Sequence, residues 1–297
     1  MGAALCNFLL ERGHHVTAAS RSDRPAFESP AIERFRLDVT DLAGAAPLPP
    51  ATTAVICPWV DGSGGAESRW IGHLLERLAG AGINSVLHFS TMWVYGSRPC
   101  GLLADSTPTA PTGAYATAHL HNESVLTDCA QHLGLDISIL RVANLVGPDP
   151  FYPSRSKVSF AHELVEMAVA DKAIVLRSRP STPRNLLTRT LLHHDVTALL
   201  HRSTVEGRVE VFNLGSGSTT TMVELARQVA DLAERYHGGL VRVEHPKESE
   251  TLPTFHLDTS RIRSLAGSGT DDLAAELQLV LEDIVRSRIH AGRMKGP

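Results

Sequence analysis

Lysine is scarce in this sequence. Only four lysines occur, at positions 157, 172, 247 and 295, so the first 156 residues contain none. The 28 Lys and Arg residues are outnumbered by 32 Asp and Glu residues, and the formal net charge is −4. Without a basic stripe, the chain is not expected to bind nucleic acid. A site in the first half that needs a positive charge must use arginine or histidine.

Cysteine is also scarce, and the patterns of metal sites and membrane segments are missing. The four cysteines show no CxxC spacing and the 15 histidines form no HExxH motif, so a metal site is not expected. No apolar run approaches the roughly 20 residues of a membrane span, and the N-terminus lacks a signal-peptide pattern. At 43% hydrophobic and 20% charged residues, the composition predicts a cytoplasmic globular protein with reduced thiols.

Short apolar runs typical of strands alternate with segments of helical apolar spacing. This alternation predicts a Rossmann-like, doubly wound parallel α/β sheet with helices on both faces. After Gly147-Pro148 a loop with Pro and Ser begins, so we divide the chain into 1–147 and a smaller, interwoven α/β part, 148–297. The predicted strands include 15–20, 34–37, 54–57, 86–89, 137–140, 173–176, 209–213 and 240–244. The predicted helices include 3–12, 69–81, 115–133, 159–170, 221–236, 259–265 and 271–288.

Residues 85–122 carry the pattern that points most directly to chemistry. The apolar run 86–89 ends at Ser90-Thr91, and after a Pro/Gly-rich loop Tyr115 begins a helix that carries His119 one turn later. A hydroxyl at a strand end, facing a tyrosine and a base, can pass a proton to or from a carbonyl. The structural alternatives are that Thr91 caps the strand end and that Tyr115 packs its ring at the helix start.

The N-terminal residues are typical of the second half of a βαβ nucleotide-binding unit. Gly2 precedes an apolar helix, which is followed by Gly13 and a strand ending at Ser20. In the usual fingerprint a strand and two more glycines stand before this glycine. We therefore expect 1–147 to be a dinucleotide-binding domain whose true start lies upstream of Met1. The alternative is a short variant that fills the strand position differently or binds no dinucleotide.

The end of strand 15–20 indicates which dinucleotide to expect. An acidic residue there would hydrogen-bond the adenosine ribose of NAD, but the sequence has Ser20-Arg21-Ser22 with Arg24 close by. Arginines of this kind can bind the 2′-phosphate of NADP. The residues favour NADP over NAD, unless Arg21 and Arg24 are ordinary surface residues.

Taken in order, the motifs resemble those of the extended short-chain dehydrogenase/reductase family, also called NAD-dependent epimerase/dehydratases. The resemblance covers nearly the whole chain. Its central motif, His88-Phe89-Ser90-Thr91 with Val94-Tyr95-Gly96, is similar to the family segment S-S/T-x-x-V-Y-G. The other matching segments are Leu10 to Thr17, Leu37-Asp38-Val39, Tyr115 to His119, Leu140 to Pro148, His194-Asp195-Val196, Phe212 to Gly217 and Leu257 to Arg261.

The resemblance implies roles for individual residues. Thr91 would polarise the substrate carbonyl, and Tyr115 would donate or accept the proton. Relatives often dimerise through two helices, here at about 66–80 and 115–133, so a homodimer is allowed. The residues expected near the cofactor are Gly2, Ser20, Arg21, Asp38, Val39 and Asn144.

His119 stands where the family motif Y-x-x-x-K has lysine. The family lysine holds the nicotinamide ribose and lowers the pKa of the tyrosine, whereas an unperturbed histidine is mostly neutral at pH 7. Three interpretations stay open. His119 acts within the proton relay, since imidazole is a competent acid and base; the substrate supplies the proton; or the site is inactive.

The residues after Thr91 bear on the reaction. Family dehydratases have an Asp-Glu pair there, but this sequence has Met92-Trp93, so dehydration is not expected. If these large apolar side chains face the site, they suit a flat or hydrophobic substrate; otherwise they belong to the core. Arg184 lies where the family often has an arginine for a sugar-nucleotide phosphate, unless it is an exposed loop charge.

Three functions follow from these residues. The first is an NADPH-dependent ketoreductase acting on a small-molecule carbonyl substrate, with Thr91, Tyr115 and His119 as catalytic residues. The high Arg:Lys ratio resembles that of proteins from GC-rich bacteria, which suggests a natural-product pathway such as antibiotic biosynthesis. The second is a sugar-nucleotide epimerase or 4-ketoreductase that uses Arg184, and the third is a non-catalytic dinucleotide-binding protein.

Overall fold

The computed structural model describes residues 1–21, 29–58, 69–149, 159–248 and 250–293. Arg24, one of the two arginines expected near the cofactor phosphate, lies outside these ranges, as does Ser22. No helix within the described ranges is both long enough and apolar enough to cross a bilayer.

Helices fill much of the described chain, and all seven helices predicted from apolar spacing are present. Six match within one residue at each end, and the last one begins two residues later and ends five residues later than predicted. They are α1 (Gly2–Glu11), α2 (Arg69–Gly80), α3 (Ala114–Leu133), α4 (Phe160–Asp171), α5 (Arg189–Leu200), α6 (Met222–His237), α7 (Ser260–Ala266) and α8 (Leu273–Arg293). A 3-10 turn, η1, spans Met92–Tyr95.

The strands include all eight that the sequence predicts, together with an unpredicted six-residue strand, Pro183–Thr188, and four unpredicted three-residue strands. They are β1 (Thr17–Ser20), β2 (Glu33–Arg36), β3 (Thr53–Ile56), β4 (Ser85–Thr91), β5 (Gly101–Leu103), β6 (Asp136–Val142), β7 (Asn144–Val146), β8 (Ala173–Val175), β9 (Pro183–Thr188), β10 (Val209–Leu214), β11 (Thr219–Thr221), β12 (Arg242–Glu244) and β13 (Phe255–Leu257).

The central sheet has the order β10-β6-β4-β3, and all its strands are parallel. β4 and β6 lie in its middle, where every residue of β6 and all but the first of β4 are buried. Such continuous burial is expected of parallel strands covered on both faces. The predicted Rossmann-like α/β fold is therefore confirmed.

Two hydrophobic clusters cover the two faces of this sheet. On one face, Leu87 and Phe89 of β4 pack with Leu5 of α1 and Leu191 of α5. On the other face, residues of α2 and α3 pack on Val86 and Ile137. Because successive strand residues point to opposite faces, β4 sends its odd-numbered residues toward α1 and α5 and its even-numbered residues toward α3.

β1 and β2 form a separate two-stranded parallel sheet. Within the described chain, β1 pairs only with β2, and β3 pairs only with β4. The two sheets nevertheless share one core, because Val16 and Ala18 belong to the same cluster as Leu87 and Phe89. Apolar packing, with the helix α1 as its centre, therefore joins the sheets where backbone hydrogen bonds do not.

The second half of the chain is woven into the first. β10 adds to the edge of the central sheet beside β6, and β13 pairs with β5. A third hydrophobic cluster joins α4, α6 and α8 with Ile174 of β8. These contacts agree with the expected interweaving, while the boundary at residue 147 stays a prediction.

Candidate active site

Thr91 is the last residue of β4 and the N-cap of η1. Its Oγ1 accepts a hydrogen bond from the backbone N–H of Trp93 at 3.3 Å, which satisfies a group that would otherwise be unpaired at the start of the turn. The side chain is buried, with 4% of the residue exposed. Thr91 therefore caps the turn and still presents its hydroxyl at the carboxyl end of a central strand.

Tyr115 stands in the first turn of α3, which follows Gly113. Its side chain lies close to that of Thr91: partial burial raises the pKa of the phenol, although 46% of the residue is exposed, and the Thr91 side chain lowers this pKa in part. The pKa thus lies above its ordinary value near 10, so Tyr115 is a neutral phenol at pH 7. The structure brings together the two hydroxyls that the sequence predicts to share a substrate oxygen.

His119 lies one helical turn after Tyr115, and the two rings meet edge to face with centroids 4.7 Å apart. Only 4% of His119 is exposed, and burial lowers its pKa to about 4. The imidazole is consequently neutral at pH 7. It cannot act as the fixed cation that the family lysine would supply, but it can accept a proton.

A buried ion pair lies beneath Thr91. Arg141 of β6 binds both carboxylate oxygens of Glu123 from α3, with the shortest N–O distance 2.7 Å. Ser90 donates to the same carboxylate at 2.5 Å, and Arg141 also donates to the hydroxyl of Tyr95 at 3.0 Å. Burial opposes the charge of Arg141, but Glu123 raises its pKa. The pair ties α3 to the ends of β4 and β6.

Ser90, Tyr95, Glu123 and Arg141 are not among the predicted site residues. Three of them lie inside quoted motifs, directly beside Thr91 or in the segment Leu140 to Pro148. Glu123 carried no signal, because its partner Arg141 is 18 residues away and on a different element.

Trp93 and Arg184 come together as a second group. The Arg184 guanidinium lies 5.8 Å from the centroid of the Trp93 ring and 5.7 Å from that of Phe160. Burial lowers the pKa of Arg184, which as an arginine still remains charged at pH 7. Arg184 lies on β9 and is partly buried, so the alternative of an exposed loop charge is wrong.

Met92 does not lie in this group. It is fully buried within the cluster that contains Leu87 and Phe89. A side chain with no accessible surface does not line a binding site, so the expectation that Met92 contacts substrate is corrected to a core position. The cause is the η1 turn, which directs Met92 inward and leaves Trp93 partly exposed.

The residues expected near the adenosine end of a dinucleotide gather at the ends of β1 and β2. Ser20 and Arg21 are exposed there, and Asp38 and Val39 follow β2. Asp38 accepts hydrogen bonds from the N–H and hydroxyl of Thr40, which lower its pKa, and the charge of Arg21 lowers it slightly further. The Arg21 charge therefore faces a carboxylate.

The other predicted cofactor residues lie near the start of α1. Gly2 is the first helical residue, and Met1 provides no side-chain cap for the N–H groups of the first turn. A cavity of about 150 Å³ opens beside it, bordered by Met1, Ala4, Leu145 and Gly147 among others. Asn144 lies next to this border and donates to the backbone carbonyl of Asn185 at 2.9 Å. An uncapped helix start beside a cavity fits the diphosphate of a dinucleotide.

The decisive comparison covers the segment that contains Thr91, Tyr115, His119 and Arg184. Residues 72–215 match the model of the NAD dependent epimerase/dehydratase family. This segment of the chain is an NAD-dependent epimerase/dehydratase family domain. The resemblance found in the motifs is confirmed, and with it the expectation of a nicotinamide-dependent enzyme of the extended short-chain dehydrogenase/reductase group.

The relatives of this chain are distant in sequence. A UDP-glucose 4-epimerase of Corynebacterium glutamicum is 24% identical over 244 residues, which are 75% of this chain and 70% of that enzyme. A UDP-glucose 4-epimerase of Azospirillum brasilense is 29% identical over 174 residues, 54% of this chain and 49% of the enzyme. A dTDP-glucose 4,6-dehydratase of Streptomyces niveus is 27% identical over 197 residues, 65% of this chain and 55% of the enzyme.

Solved structures share the whole fold. The UDP-glucose 4-epimerase of Thermotoga maritima with UDP-glucose superposes with a TM-score of 0.78 at 16% identity, covering 97% of this chain and 96% of that one. MoeE5 in complex with UDP-glucose and NAD gives a TM-score of 0.74 at 17% identity, with coverage of 97% and 96%. The UDP-glucuronic acid 4-epimerase of Bacillus cereus with UDP-glucuronic acid and NAD gives 0.73 at 19% identity, with 96% of each chain covered.

These findings correct the predicted cofactor. MoeE5 and the Bacillus cereus enzyme both hold NAD, and the family is NAD-dependent, so the prediction of NADP is wrong. The prediction of NADP rested on the residues at the end of β1 alone. In the structure the charge of Arg21 also acts on Asp38, which follows the neighbouring strand β2. Arg21 therefore has an interaction within the protein and does not by itself indicate a 2′-phosphate.

Proposed function

We propose that the protein is an NAD-dependent nucleotide-sugar epimerase, which oxidises a sugar hydroxyl to a ketone and then reduces it on the opposite face. The proximity of the Thr91 and Tyr115 side chains carries this proposal, because it would present two hydroxyls to one substrate oxygen at the rim of the sheet. The epimerase relatives favour this function over the reduction of a hydrophobic ketone.

The residues that fit NAD divide into two groups. Asp38 and Val39 would hold the adenosine end, and the first turn of α1 at Gly2 would hold the diphosphate. Asn144, next to Leu145 at the edge of the cavity beside α1, would lie near the same part of the cofactor. NAD held there would supply the hydride acceptor for oxidation of the carbinol carbon, and its reduced form would supply the hydride for the return.

The chain's own part in the reaction is the movement of a proton. Thr91 holds the substrate oxygen, and that oxygen passes its proton to the Tyr115 oxygen as the Tyr115 hydroxyl proton passes to neutral His119. The alcohol O–H and the phenol O–H break, and a new O–H and an N–H form, which leaves Tyr115 neutral and His119 as an imidazolium. The return step reverses both transfers. His119 thus supplies a base where the family supplies an ammonium.

Arg184 and Trp93 would bind the other part of the substrate. A planar guanidinium suits a diphosphate, and its stacking on Trp93 and Phe160 holds it in place. Because Met92 is in the core and Trp93 has no carboxyl group, no acid pair follows Thr91 to assist loss of water. This supports epimerisation over dehydration.

The test is a turnover assay with added NAD. Purified protein is incubated with UDP-glucose, UDP-galactose, UDP-glucuronic acid or dTDP-glucose, and proton NMR follows the configuration of the sugar. Appearance of the 4-epimer in any one of them supports the proposal. A 4-keto-6-deoxy product would overturn it in favour of a dehydratase, and NAD binding without change in any sugar would favour a non-catalytic dinucleotide-binding protein.

A further inference from the structure

Three polar side chains are buried together behind Tyr115. His88 is 0% exposed, His119 is 4% exposed and Asn122 is 2% exposed. None of them is part of the ion pair between Glu123 and Arg141, in which the two charges neutralise each other. A buried group of three polar residues beside a proposed proton relay needs an explanation.

Strand and helix periodicity place these residues on facing surfaces. His88 and Ser90 lie on the same face of β4, and Ser90 reaches Glu123 of α3. His119, Asn122 and Glu123 follow the helical spacing of three and four residues on the buried face of α3. His88 therefore faces α3 beside Ser90. Burial lowers the pKa of His88 to about 3, and His119 lowers it by a smaller amount.

The facing atoms lack hydrogen-bond partners. Among the described residues, none pairs with either ring nitrogen of His88, with Nδ1 of His119 or with Oδ1 of Asn122. A neutral imidazole always has one N–H donor and one acceptor nitrogen, so both kinds of group are present. Buried polar atoms are almost always satisfied, and where protein atoms do not reach them an internal water does so.

We propose that His88 and Asn122 hold an internal water against Nδ1 of His119 and so act as positioning residues that fix the tautomer of His119. With Nδ1 donating to this water, Nε2 is the nitrogen left to accept the proton of Tyr115. The catalytic part of this inference rests on the proposed function, but the water site and the tautomer do not.

The surroundings favour a neutral ring in the resting protein. Tyr115, a neutral phenol, contacts the ring of His119, and the carboxylate of Glu123, four residues further along α3, is engaged by Arg141 and Ser90. No free carboxylate from the described elements packed around the two imidazoles, β4, β6, η1 and α3, neutralises an imidazolium. The internal water and Asn122 Oδ1 are then the groups that stabilise the imidazolium form of His119.

The test reads the tautomer directly. Nitrogen NMR of ring-labelled protein, with His119 assigned through a His119→Gln variant, is recorded at about pH 7 for wild type, His88→Phe and Asn122→Leu. We expect a single Nδ1–H tautomer in wild type and a mixture of tautomers in both variants. Val86→Ala is the control, because Val86 is on the same face of β4 and fully buried but has no polar atom. Unchanged nitrogen shifts in both polar variants would overturn the proposal.

Folding and function are checked separately. If His88→Phe does not fold, His88→Gln keeps a donor and an acceptor and is expected to retain the wild-type tautomer, while Asn122→Leu still tests the loss. In the turnover assay we expect kcat to fall about tenfold in the polar variants with KM within about twofold. A mixed tautomer without turnover of any nucleotide sugar would support the water site and contradict the proposed function. Turnover of a nucleotide sugar with the tautomer and kcat unchanged in the polar variants would support the proposed function and contradict the water site.

Discussion

The rings of Tyr115 and His119 meet edge to face, with their centroids 4.7 Å apart and their planes inclined by 68°. This contact puts a neutral imidazole where relatives of the family have an ammonium. The consequence is that a proton acceptor, and not a fixed charge, stands behind the phenol. The pH dependence of the protein should show this difference.

Activity should persist into acid until His119 becomes protonated. Because burial lowers the pKa of His119 to about 4, the neutral, active form is present above that value and is lost as the pH falls through it. The measurement is kcat/KM of the epimerisation between about pH 8 and pH 4. An acid limb near the ordinary histidine value of about 6.5 would contradict this role, and His119→Gln should remove the limb together with most activity.

Folding stability should decrease in mild acid because several histidines are neutral and shielded from water in the folded protein. His193 is stacked on Phe8 with ring centroids 4.1 Å apart, and burial first, then nearby arginines, lowers its pKa to about 4. Protonation therefore favours the unfolded chain: the stabilisation is complete above about pH 6.5 and is lost as the pH falls toward 4.

Urea unfolding of wild type and His193→Phe at two pH values tests this. The phenylalanine keeps a ring on Phe8 but cannot be protonated, so its free energy of unfolding should change less between pH 7 and pH 5 than that of wild type. His121→Gln, at an exposed position of α3, is the control and should follow wild type. If the free energy of unfolding falls equally in all three proteins between pH 7 and pH 5, His193 does not contribute to the pH dependence of stability.

Loss of Arg184 should weaken substrate binding more than cofactor binding. A hydrogen bond to a charged group is worth about 1.5–3 kcal/mol, so Arg184→Ala should raise KM for the nucleotide sugar by about 10- to 150-fold. The Kd for NAD, measured by fluorescence titration, should stay within about twofold. Arg184→Lys should recover only part of the affinity, since lysine lacks the planar fork that stacks on Trp93.

Arg242→Ala is the matched control for Arg184, because Arg242 is exposed and lies 4.0 Å from Glu244. It should leave KM unchanged. If Arg242→Ala and Arg184→Ala raise KM equally, the effect is one of general charge, and Arg184 has no specific contact with the substrate.

Breaking the ion pair of Glu123 and Arg141 should destabilise the protein strongly. Their side chains are 5% and 7% exposed, and removing one partner of a buried pair costs about 3–5 kcal/mol. We expect Glu123→Gln to lower the denaturation midpoint accordingly. Glu166→Gln is the control: Glu166 and Arg288 are more than 40% exposed and 3.8 Å apart, and such surface pairs contribute about 0–1 kcal/mol. Similar midpoints for the two variants would contradict the importance of the buried pair.

The main elements of the fold were predictable because their signals are local. The apolar spacing of α3 and the continuous apolar run of β4 gave both elements within a few residues of their observed ends. The three-residue strands β5 and β13 were not predicted, because they exist only through their pairing, which joins Gly101 to Phe255. No pattern within a three-residue window specifies such a contact.

The sequence allowed the two hydroxyl residues of the site to be predicted, but not the charge interactions of Arg21 or the neutral state of His119. Thr91 and Tyr115 lie in motifs of fixed spacing, and the structure joins them. The cofactor prediction failed since Arg21 and Asp38 belong to different strands, and only the parallel pairing of β1 with β2 brings their ends together. The neutrality of His119 follows from its burial against β4, which the helix sequence alone does not reveal. The expected homodimer, the domain boundary and the roles of the site residues stay predictions.

The most direct measurement compares wild type, Tyr115→Phe and Tyr236→Phe for NAD-dependent epimerisation of UDP-glucose and UDP-galactose by proton NMR. Tyr236 is the matched control, since it is 49% exposed and its ring also meets a histidine, His237, with centroids 4.8 Å apart. We predict that wild type and Tyr236→Phe interconvert the two sugars, while Tyr115→Phe loses about 100- to 10,000-fold in kcat and still binds NAD. Full activity of Tyr115→Phe would contradict the account.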